Sequence, residues 1–209
     1  MKKPEYIIGG LFPVPTIKIK FKQHDKYNFP LVAKKDAKPS TWVVSLNTTF
    51  PNIIAGDDFI SMEKTEELKT DISNTIISVF KEINISTKFA IIDFWYNIYH
   101  QDQGQEPHSH TGPLCFYWCG IYYNKNPSPT IFCKSAGPHD VHIHQVGNTS
   151  GTHLEPSFSP TAAVPTMEGD IILFPPYLEH FVPEQKNICL QSAILIYSPH
   201  LLFLPYPEL

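Results

Sequence analysis

The segment that decides the fold, Glu168–His180, reads EGDIILFPPYLEH. Its Gly-Asp pair is typical of a turn, the apolar run that starts at Asp170 is typical of a buried strand, and Pro175 and Pro176 end that strand. The chain then returns and presents His180. In an antiparallel barrel a returning strand can lie beside a strand from an earlier part of the sequence. The segment therefore predicts a β-barrel in which His180 meets residues that come much earlier in the chain.

Strand-like runs fill the rest of the chain from Thr87 onward, without helices between them. Aromatic and β-branched runs, separated by Gly, Pro, Asn or Ser, predict strands at residues 88–100, 114–123, 130–134, 141–146, 170–174 and 188–197. This spacing is typical of an antiparallel sandwich or barrel. We expect residues 147–168, which are rich in Gly, Ser, Thr and Pro, to form an irregular loop.

The first 86 residues are expected to support the barrel. Residues 17–21 and 41–46 are predicted strands, and the polar, lysine-rich stretch between them is predicted to be a surface loop. Apolar residues then recur four apart at Leu68, Ile72, Ile76 and Phe80. This stripe predicts a helix that packs on a sheet, with Ser61 as a candidate N-cap. We therefore expect one structural domain: residues 1–86 form strands and a buttressing helix, packed on a mainly β jelly roll formed by residues 87–209.

Composition argues against several classes of function. Hydrophobic residues make up 42% of the 209 residues, but no apolar run reaches membrane-spanning length. The formal net charge is −4 and all 16 basic residues are lysines, so the chain has neither an arginine nor a basic stripe for nucleic acid. The first residues lack the apolar core of a signal peptide, and the four cysteines show no CxxC spacing. We expect a cytoplasmic protein with reduced, buried cysteines.

Two histidines two residues apart, His108 and His110, form half of a candidate metal site. If they lie on a strand, both side chains leave the same face and can bind one ion, and the predicted barrel can bring His180 to the same place. Three imidazoles on one side of an ion leave the opposite coordination positions free for substrate and oxygen. Non-haem Fe(II) oxygenases use such an open arrangement, commonly with two histidines and one carboxylate.

Further motifs accompany these histidines: Tyr99–Gly104 (YHQDQG), Gly120–Tyr123 (GIYY), and Gly169-Asp170 followed by Phe174-Pro175. Together with the His-x-His motif they resemble the 2-oxoglutarate/Fe(II)-dependent oxygenase superfamily. Trp95, Asn97 and the opening Leu11-Phe12-Pro13 resemble one mostly uncharacterised branch that is often found in phage genomes. The resemblance spans roughly residues 90–198 and is carried by the motifs as a set.

The resemblance implies a cupin-type double-stranded β-helix that holds Fe(II) between His108, His110 and His180 and uses 2-oxoglutarate as co-substrate. His110 stands where most of the superfamily has Asp or Glu, so three neutral imidazoles would leave the iron site at +2 instead of +1. A phage-encoded member would act in the cytoplasm of its host cell. The implied substrate is a small molecule or a peptide, and a homodimer is compatible with the predicted strand edges.

A second departure concerns the cation that pairs with the far carboxylate of 2-oxoglutarate. The superfamily usually places an arginine or lysine on the last barrel strand, close to a serine. Ser192 matches that serine, but Leu190 stands where this branch usually has arginine. Because a desolvated carboxylate without a cation is costly, Lys134 is the preferred replacement, with Lys125 as the alternative.

Other residues are weaker candidates for the site. Asn97, Tyr99, Tyr117 and Tyr122 are candidates to line the pocket and hydrogen-bond an acid. A second His-x-His motif, His142 and His144, has further histidines at 139 and 153, but no matching distal element follows it. We expect these four histidines to face solvent or to support the site from outside.

Three functions remain open from the sequence. The first is an Fe(II)- and 2-oxoglutarate-dependent oxygenase, most simply a hydroxylase. The second is a three-histidine cupin dioxygenase that binds its substrate directly and needs no co-substrate, which the departures at His110 and Leu190 favour. The third is a barrel that binds a metal or ligand without turnover.

Overall fold

A computed structural model of the chain describes residues 5–11, 14–27, 38–40, 46–50, 63–85, 88–111, 116–125, 127–133 and 161–197. Within these residues, strands dominate and are arranged in two antiparallel sheets, with one long helix, α1 (Glu63–Glu82). This arrangement confirms the predicted fold class, a mainly β double-stranded β-helix with a buttressing helix.

The strands are β1 (Glu5–Leu11), β2 (Val14–Lys20), β3 (Lys38–Pro39), β4 (Asn47–Thr48), β5 (Ala90–Tyr99), β6 (Gln105–His108), β7 (Phe116–Lys125), β8 (Ile131–Cys133), β9 (Thr161–Ala163), β10 (Asp170–Phe174), β11 (His180–Val182) and β12 (Cys189–Tyr197). In the described part of the chain the large sheet has the order β1-β2-β10-β7-β12-β5-β4-β3, and the small sheet has the order β6-β11-β8-β9. The N-terminal hairpin β1–β2 therefore extends the same sheet that contains the later strands β7, β10 and β12.

Helix α1 covers one face of the large sheet. The stripe that the sequence predicts is fully buried: Leu68, Ile72, Ile76 and Phe80 are all 0% exposed. They form one core cluster with residues of β2, β5, β7, β10 and β12. At about 1.5–3 kcal/mol for each large apolar side chain removed from water, this face supplies much of the stability of the fold.

Strand β5 shows how the two faces of the large sheet differ. Phe94, Tyr96 and Ile98 belong to the cluster under the helix, whereas Trp95 packs in a second cluster with Phe132 of the small sheet. Successive side chains of a strand point to opposite faces, so the residues that alternate with the helix-facing ones point toward the small sheet. Both faces are covered, and for this reason β5 reads as a continuous aromatic run in the sequence.

The predicted strand 170–174 is observed with the same bounds. For the other predicted strands that the structure describes, the observed ends differ from the predicted ends by a few residues. The predicted loop 147–168 needs a correction, since Thr161–Ala163 forms β9 and pairs with β8. This three-residue strand has no periodic pattern of its own, and its pairing depends on a neighbour that is distant in sequence. Residues 41–45 and 141–146 and the candidate cap Ser61 lie outside the described residues.

Candidate active site

The small sheet brings together two of the histidines that the sequence singles out. Strand β11 pairs with β6 so that His180 lies directly opposite His108, 72 positions apart in the chain. On the other side of β11, strand β8 places Phe132 opposite His180. Adjacent residues of an antiparallel pair hold their side chains about 4.5–5.5 Å apart at Cβ, which is close enough for two imidazoles to bind one ion.

The third histidine, His110, joins the pair from the segment just after β6. Its backbone N–H donates to the carbonyl oxygen of Pro176 at 2.9 Å, which ties this segment to the turn between β10 and β11. Ring centroids are 4.3 Å apart for His108 and His180, 5.2 Å for His108 and His110, and 5.3 Å for His110 and His180. One ligand nitrogen from each ring lies within 4.8 Å of the other two, so the three residues could hold a single metal ion.

Backbone carbonyl groups set the orientation of two of these rings. The Nδ1 atom of His108 lies 2.9 Å from the carbonyl oxygen of Glu106, and Nδ1 of His180 lies 3.0 Å from that of Leu178. A carbonyl oxygen only accepts hydrogen bonds, so each Nδ1 carries the proton and each Nε2 keeps its lone pair. Metal-binding histidines in proteins are commonly held in this way by a partner on the other ring nitrogen.

Burial keeps the imidazoles of His110 and His180 neutral at physiological pH. Desolvation, followed by the nearby ring of His108, lowers the pKa of His110 to about 4. The same two causes lower the pKa of His180 well below its ordinary value, and that side chain is only 4% exposed. A neutral imidazole is the form that binds a metal, so the protein environment prepares both rings as ligands. The donor set of three imidazoles suits iron, zinc, copper or nickel.

Residues 93–188 match the protein family described as "Putative 2OG-Fe(II) oxygenase". This stretch contains the histidine triad and the strands that position it. Over this stretch, a little under half of the 209 residues, the chain is similar to the 2-oxoglutarate/Fe(II)-dependent oxygenases. Members of this family are oxidoreductases that use Fe(II) and 2-oxoglutarate and act on small molecules or peptides.

Solved structures of this superfamily share the fold at low sequence identity. HygX from Streptomyces hygroscopicus, solved with nickel and 2-oxoglutarate bound, has a TM-score of 0.54 at 10% identity, over 89% of this chain and 84% of HygX. The epimerase SnoN from nogalamycin biosynthesis has a TM-score of 0.53 at 9% identity, over 93% of this chain and 86% of SnoN. A prolyl-4-hydroxylase from Pseudomonas putida has a TM-score of 0.50 at 9% identity, over 79% of each chain. No curated protein matches the sequence.

A narrow cavity opens beside the triad. Besides the three histidines, its described lining consists of Trp95, Asn97, Tyr99, Gln105, Gly120, Ile121, Phe174, Val182 and Ile194. Its volume is about 20 Å³, which is room for about one water molecule. An acid bound at the triad must therefore push the lining side chains apart and touch them directly.

Buried hydrogen bonds connect the polar part of this lining. Thr48 donates from Oγ1 to Asn97 Oδ1 at 2.7 Å, Asn97 donates from Nδ2 to the hydroxyl of Tyr99 at 3.3 Å, and that hydroxyl donates to Gln105 Oε1 at 2.9 Å. The amide nitrogen of Gln105 then lies 3.4 Å from Nε2 of His108. Burial raises the pKa of Tyr99 far above its ordinary value, so its hydroxyl stays protonated and can donate. The chain of bonds links β4 and β5 to the histidine triad.

The described lining of the cavity carries no lysine. Lys125 is exposed and pairs with Glu168 at 3.3 Å, away from the lining. Lys134 lies outside the described residues, one position after the end of β8. Ser192 is placed by its backbone, in register with Tyr96 of β5 and Tyr122 of β7. Its role and that of Lys134 as co-substrate residues stay predictions.

Several sequence candidates lie elsewhere. Tyr122 belongs to the cluster under helix α1, and its hydroxyl is 2.6 Å from Nδ1 of His24, so the expectation that it lines the pocket is wrong. The side chain of Tyr117, Cys115 and the histidines at 139, 142, 144 and 153 lie outside what the structure describes. Cys119 and Cys189 are buried free thiols and Cys133 is a half-buried one.

Sequence reasoning did not assign Gln105 a role in the site, and it used Trp95 only as part of a motif. The alternation of β5 gives a usable signal for Trp95, because it lies two residues before Asn97 and so shares its face. Gln105 had no such signal, since the four-residue strand β6 has no apolar pattern.

No helix of the described residues is both long enough and apolar enough to cross a membrane.

Proposed function

We propose that this chain is an oxygenase that binds Fe(II) through His108, His110 and His180 and hydroxylates a small molecule or peptide. The observation that carries the proposal is the convergence of the three imidazoles within 4.8 Å, beside a cavity lined by polar side chains. The donor set, the neutral rings and the backbone partners of Nδ1 all fit a metal centre of this superfamily.

The chemistry needs iron, oxygen and 2-oxoglutarate together. When bound, Fe(II) would supply the activation of O₂, with one oxygen atom entering succinate as 2-oxoglutarate loses CO₂ and the other entering a C–H bond of the substrate. His108, His110 and His180 are the residues that would hold the ion. Burial of His180 and the aromatic walls Trp95 and Phe174 exclude bulk water from the reacting centre.

For the co-substrate, we propose contacts with Asn97, Tyr99, Lys134 and Ser192. Asn97 and Tyr99 line the cavity, and both are at least 96% buried. Support for Lys134 comes from its neighbour Cys133, whose backbone N–H donates to the carbonyl oxygen of Glu179, the residue before His180. Since the chain lacks arginine, Lys134, which follows β8 in the sequence, is our candidate for the missing positive charge.

The deciding experiment is an anaerobic titration of the Fe(II)-loaded protein with 2-oxoglutarate. A saturable visible charge-transfer band is expected, because a 2-oxo acid chelates iron through its keto and carboxylate oxygens. Absence of the band, with Fe(II) shown to be bound, would refute the use of 2-oxoglutarate.

Lys134→Ala should weaken 2-oxoglutarate binding by 10-fold or more, which corresponds to about 1.4 kcal/mol, and should leave Fe(II) binding unchanged. Lys125→Ala, which removes an exposed lysine paired with Glu168, is the matched control.

A second candidate function is a three-histidine dioxygenase that binds its substrate directly at the metal. The replacement of the usual carboxylate by His110 and the uncharged side chains that share the cavity with the triad favour it. In that case the titration gives no charge-transfer band, and the Fe(II)-loaded protein consumes oxygen with a substrate and without 2-oxoglutarate. The same two measurements therefore separate the two enzymes, and absence of Fe(II) binding altogether would leave a barrel without this chemistry.

We further propose that the enzyme acts in the cytoplasm, without nucleic acid as a partner, and that it can form a homodimer. The acidic net charge of −4 supports the absence of a nucleic-acid partner, because such partners are bound through basic surfaces. Light scattering on the purified protein measures its mass directly: a mass near 24 kDa would refute the dimer, since one chain has a mass of 23.8 kDa.

A further inference from the structure

The indole of Trp95 carries a polar group without a partner at the wall of the active-site cavity. The side chain is 3% exposed, it lines the cavity, and its Nε1 atom has no hydrogen-bond partner among the described residues. A buried tryptophan N–H is normally hydrogen-bonded, and leaving such a donor unsatisfied costs about 1–3 kcal/mol. A group of this kind in a native fold calls for an explanation, and a bound ligand is one.

Neighbouring aromatic rings hold the indole in place. Its centroid lies 5.1 Å from that of Phe50 and 6.2 Å from that of His110. The backbone of Trp95 is paired with Ala193 of β12, in the middle of the large sheet. The ring is therefore fixed next to a triad histidine and does not turn out to solvent to satisfy its N–H.

The other polar side chains on the same face of β5 differ from Trp95 in this respect. Asn97 accepts from Thr48 and donates to Tyr99, and Tyr99 donates to Gln105. These groups already form hydrogen bonds within the protein, although Asn97 keeps a second amide hydrogen. Trp95 differs from Asn97 and Tyr99 in that its polar atom has no hydrogen-bond partner among the described residues, so its N–H is free to bind an occupant.

The chemistry of the indole and of the triad defines that occupant. An indole N–H only donates, so the occupant must present an acceptor at the end of the cavity near His110. An ion held by three neutral imidazoles keeps its full charge of +2 and attracts an anionic oxygen. We propose that Trp95 donates a hydrogen bond to a carboxylate oxygen of 2-oxoglutarate at the end of the molecule that binds the metal. This inference rests on the proposed function. It assigns an uncharged hydrogen-bond donor, the indole N–H, to the carboxylate of 2-oxoglutarate that binds the metal.

Calorimetric titration of 2-oxoglutarate into the Ni(II)-loaded protein tests the inference without turnover. Trp95→Phe keeps an aromatic ring and removes the N–H, and it should weaken 2-oxoglutarate binding about 10-fold, since a hydrogen bond to a charged group contributes about 1.5–3 kcal/mol. Affinity for Ni(II) should stay unchanged. Trp118→Phe is the matched control, because Trp118 is also buried but belongs to the cluster under helix α1.

A measurement on the wild-type protein guards against a folding defect in the variant. In the ¹⁵N-labelled, Zn(II)-loaded protein, the indole N–H signal of Trp95 should move downfield when 2-oxoglutarate is added. The three tryptophan signals can be assigned by elimination with Trp42→Phe and Trp118→Phe. Unchanged affinity in Trp95→Phe together with an unmoved signal would overturn the role of Trp95 and leave the proposed function standing. If wild-type protein does not bind 2-oxoglutarate at all, both the function and the inference fall.

Discussion

At the scale of single residues, the histidine triad combines short distances with fixed tautomers. His108 and His180 each donate from Nδ1 to a backbone carbonyl two residues earlier, so both present Nε2 in the same region of the small sheet. The sequence alone singled out all three residues as candidate ligands, because of the His-x-His motif and the histidine that follows the strand 170–174. It did not predict the carbonyl partners, since these depend on local backbone geometry in β6 and β11.

His180→Ala is expected to abolish stoichiometric Fe(II) binding. The imidazole is 4% exposed and contributes one of three ligand atoms, so the loss of affinity should exceed the roughly 10–100-fold that loss of an outer partner of a metal ligand costs. Anaerobic calorimetry with Fe(II) measures the effect. His100→Ala, a change at a half-buried histidine outside the triad, is the control and should bind iron like the wild type. Retained affinity in His180→Ala would rule out the triad as the metal site.

At the scale of secondary-structure elements, the fold follows from the sequence wherever a strand or helix has its own pattern. Strand β10 and helix α1 have clear patterns, and both were predicted. Strands β6, β9 and β11 have three or four residues each, and their pairings join residues that are far apart in the chain. Short strands of this kind are stabilised by their neighbours, so a sequence window cannot show them. The small sheet, which carries two residues of the candidate metal site, was for this reason the harder part to predict.

Gly104 controls how closely the turn before β6 approaches the end of β11. A Cβ at this position would lie 2.6 Å from the carbonyl oxygen of Val182 and 3.1–3.2 Å from backbone atoms of Pro183 and Glu184. Backbone atoms cannot move aside cheaply, so Gly104→Ala should separate β6 from β11, destabilise the protein by more than about 1–3 kcal/mol and weaken metal binding. Chemical denaturation and calorimetry measure the two effects.

Gly120→Ala provides the comparison within the same protein. The nearest atom to a Cβ at Gly120 is Cδ2 of Leu173 at 2.8 Å, the end of a side chain that can change its rotamer. This variant should therefore lose less stability than Gly104→Ala and should keep its affinity for metal, since Gly120 lies on β7 and not on the strands that carry the triad. Equal losses of metal affinity in both variants would contradict the argument.

His24 joins the N-terminal hairpin to the turn before β10 and should make stability depend on pH. A Cβ at Gly169 would lie 3.0 Å from Cγ of His24, and Nδ1 of His24 lies 2.6 Å from the hydroxyl of Tyr122. Burial lowers the pKa of His24 below its ordinary value of 6.5, against opposing contributions from Glu168 and Asp25, while Lys20 and Lys125 lower it further. The folded protein thus binds fewer protons here than the unfolded chain, and the free energy of unfolding falls as the pH falls below 6.5.

Replacing His24 by Asn removes this titrating group, and the free energy of unfolding should then depend less on pH between 7 and 5 than in the wild type. Urea denaturation at three pH values in this range gives the comparison. His100→Asn serves as the matched control for the replacement of one histidine by asparagine. Parallel curves for wild type and His24→Asn would show that His24 does not couple protonation to folding.

At the scale of the whole molecule, the large sheet is covered on one face by helix α1 and on the other by the small sheet. The two coverings differ in what stabilises them. The helix buries a stripe of apolar side chains, whereas the small sheet contributes short strands and the polar metal site. We therefore expect the helix side to fold without metal and the small sheet to gain stability when an ion binds.

Metal binding should raise the stability of the whole protein by an amount that mass action sets. At a free metal concentration of 100 times Kd, a ligand that binds only the folded state adds about 2.7 kcal/mol to the free energy of unfolding. For a chain of this size the midpoint of thermal unfolding should rise by roughly 5–10 °C, at about 2–4 °C for each kcal/mol. Scanning calorimetry with and without Zn(II) or Ni(II) measures the rise, and His180→Ala should abolish it. An equal rise of the unfolding midpoint in His180→Ala would place the stabilising ion elsewhere. Loss of the rise in the double variant His142→Ala, His144→Ala would then assign the ion to the second His-x-His motif.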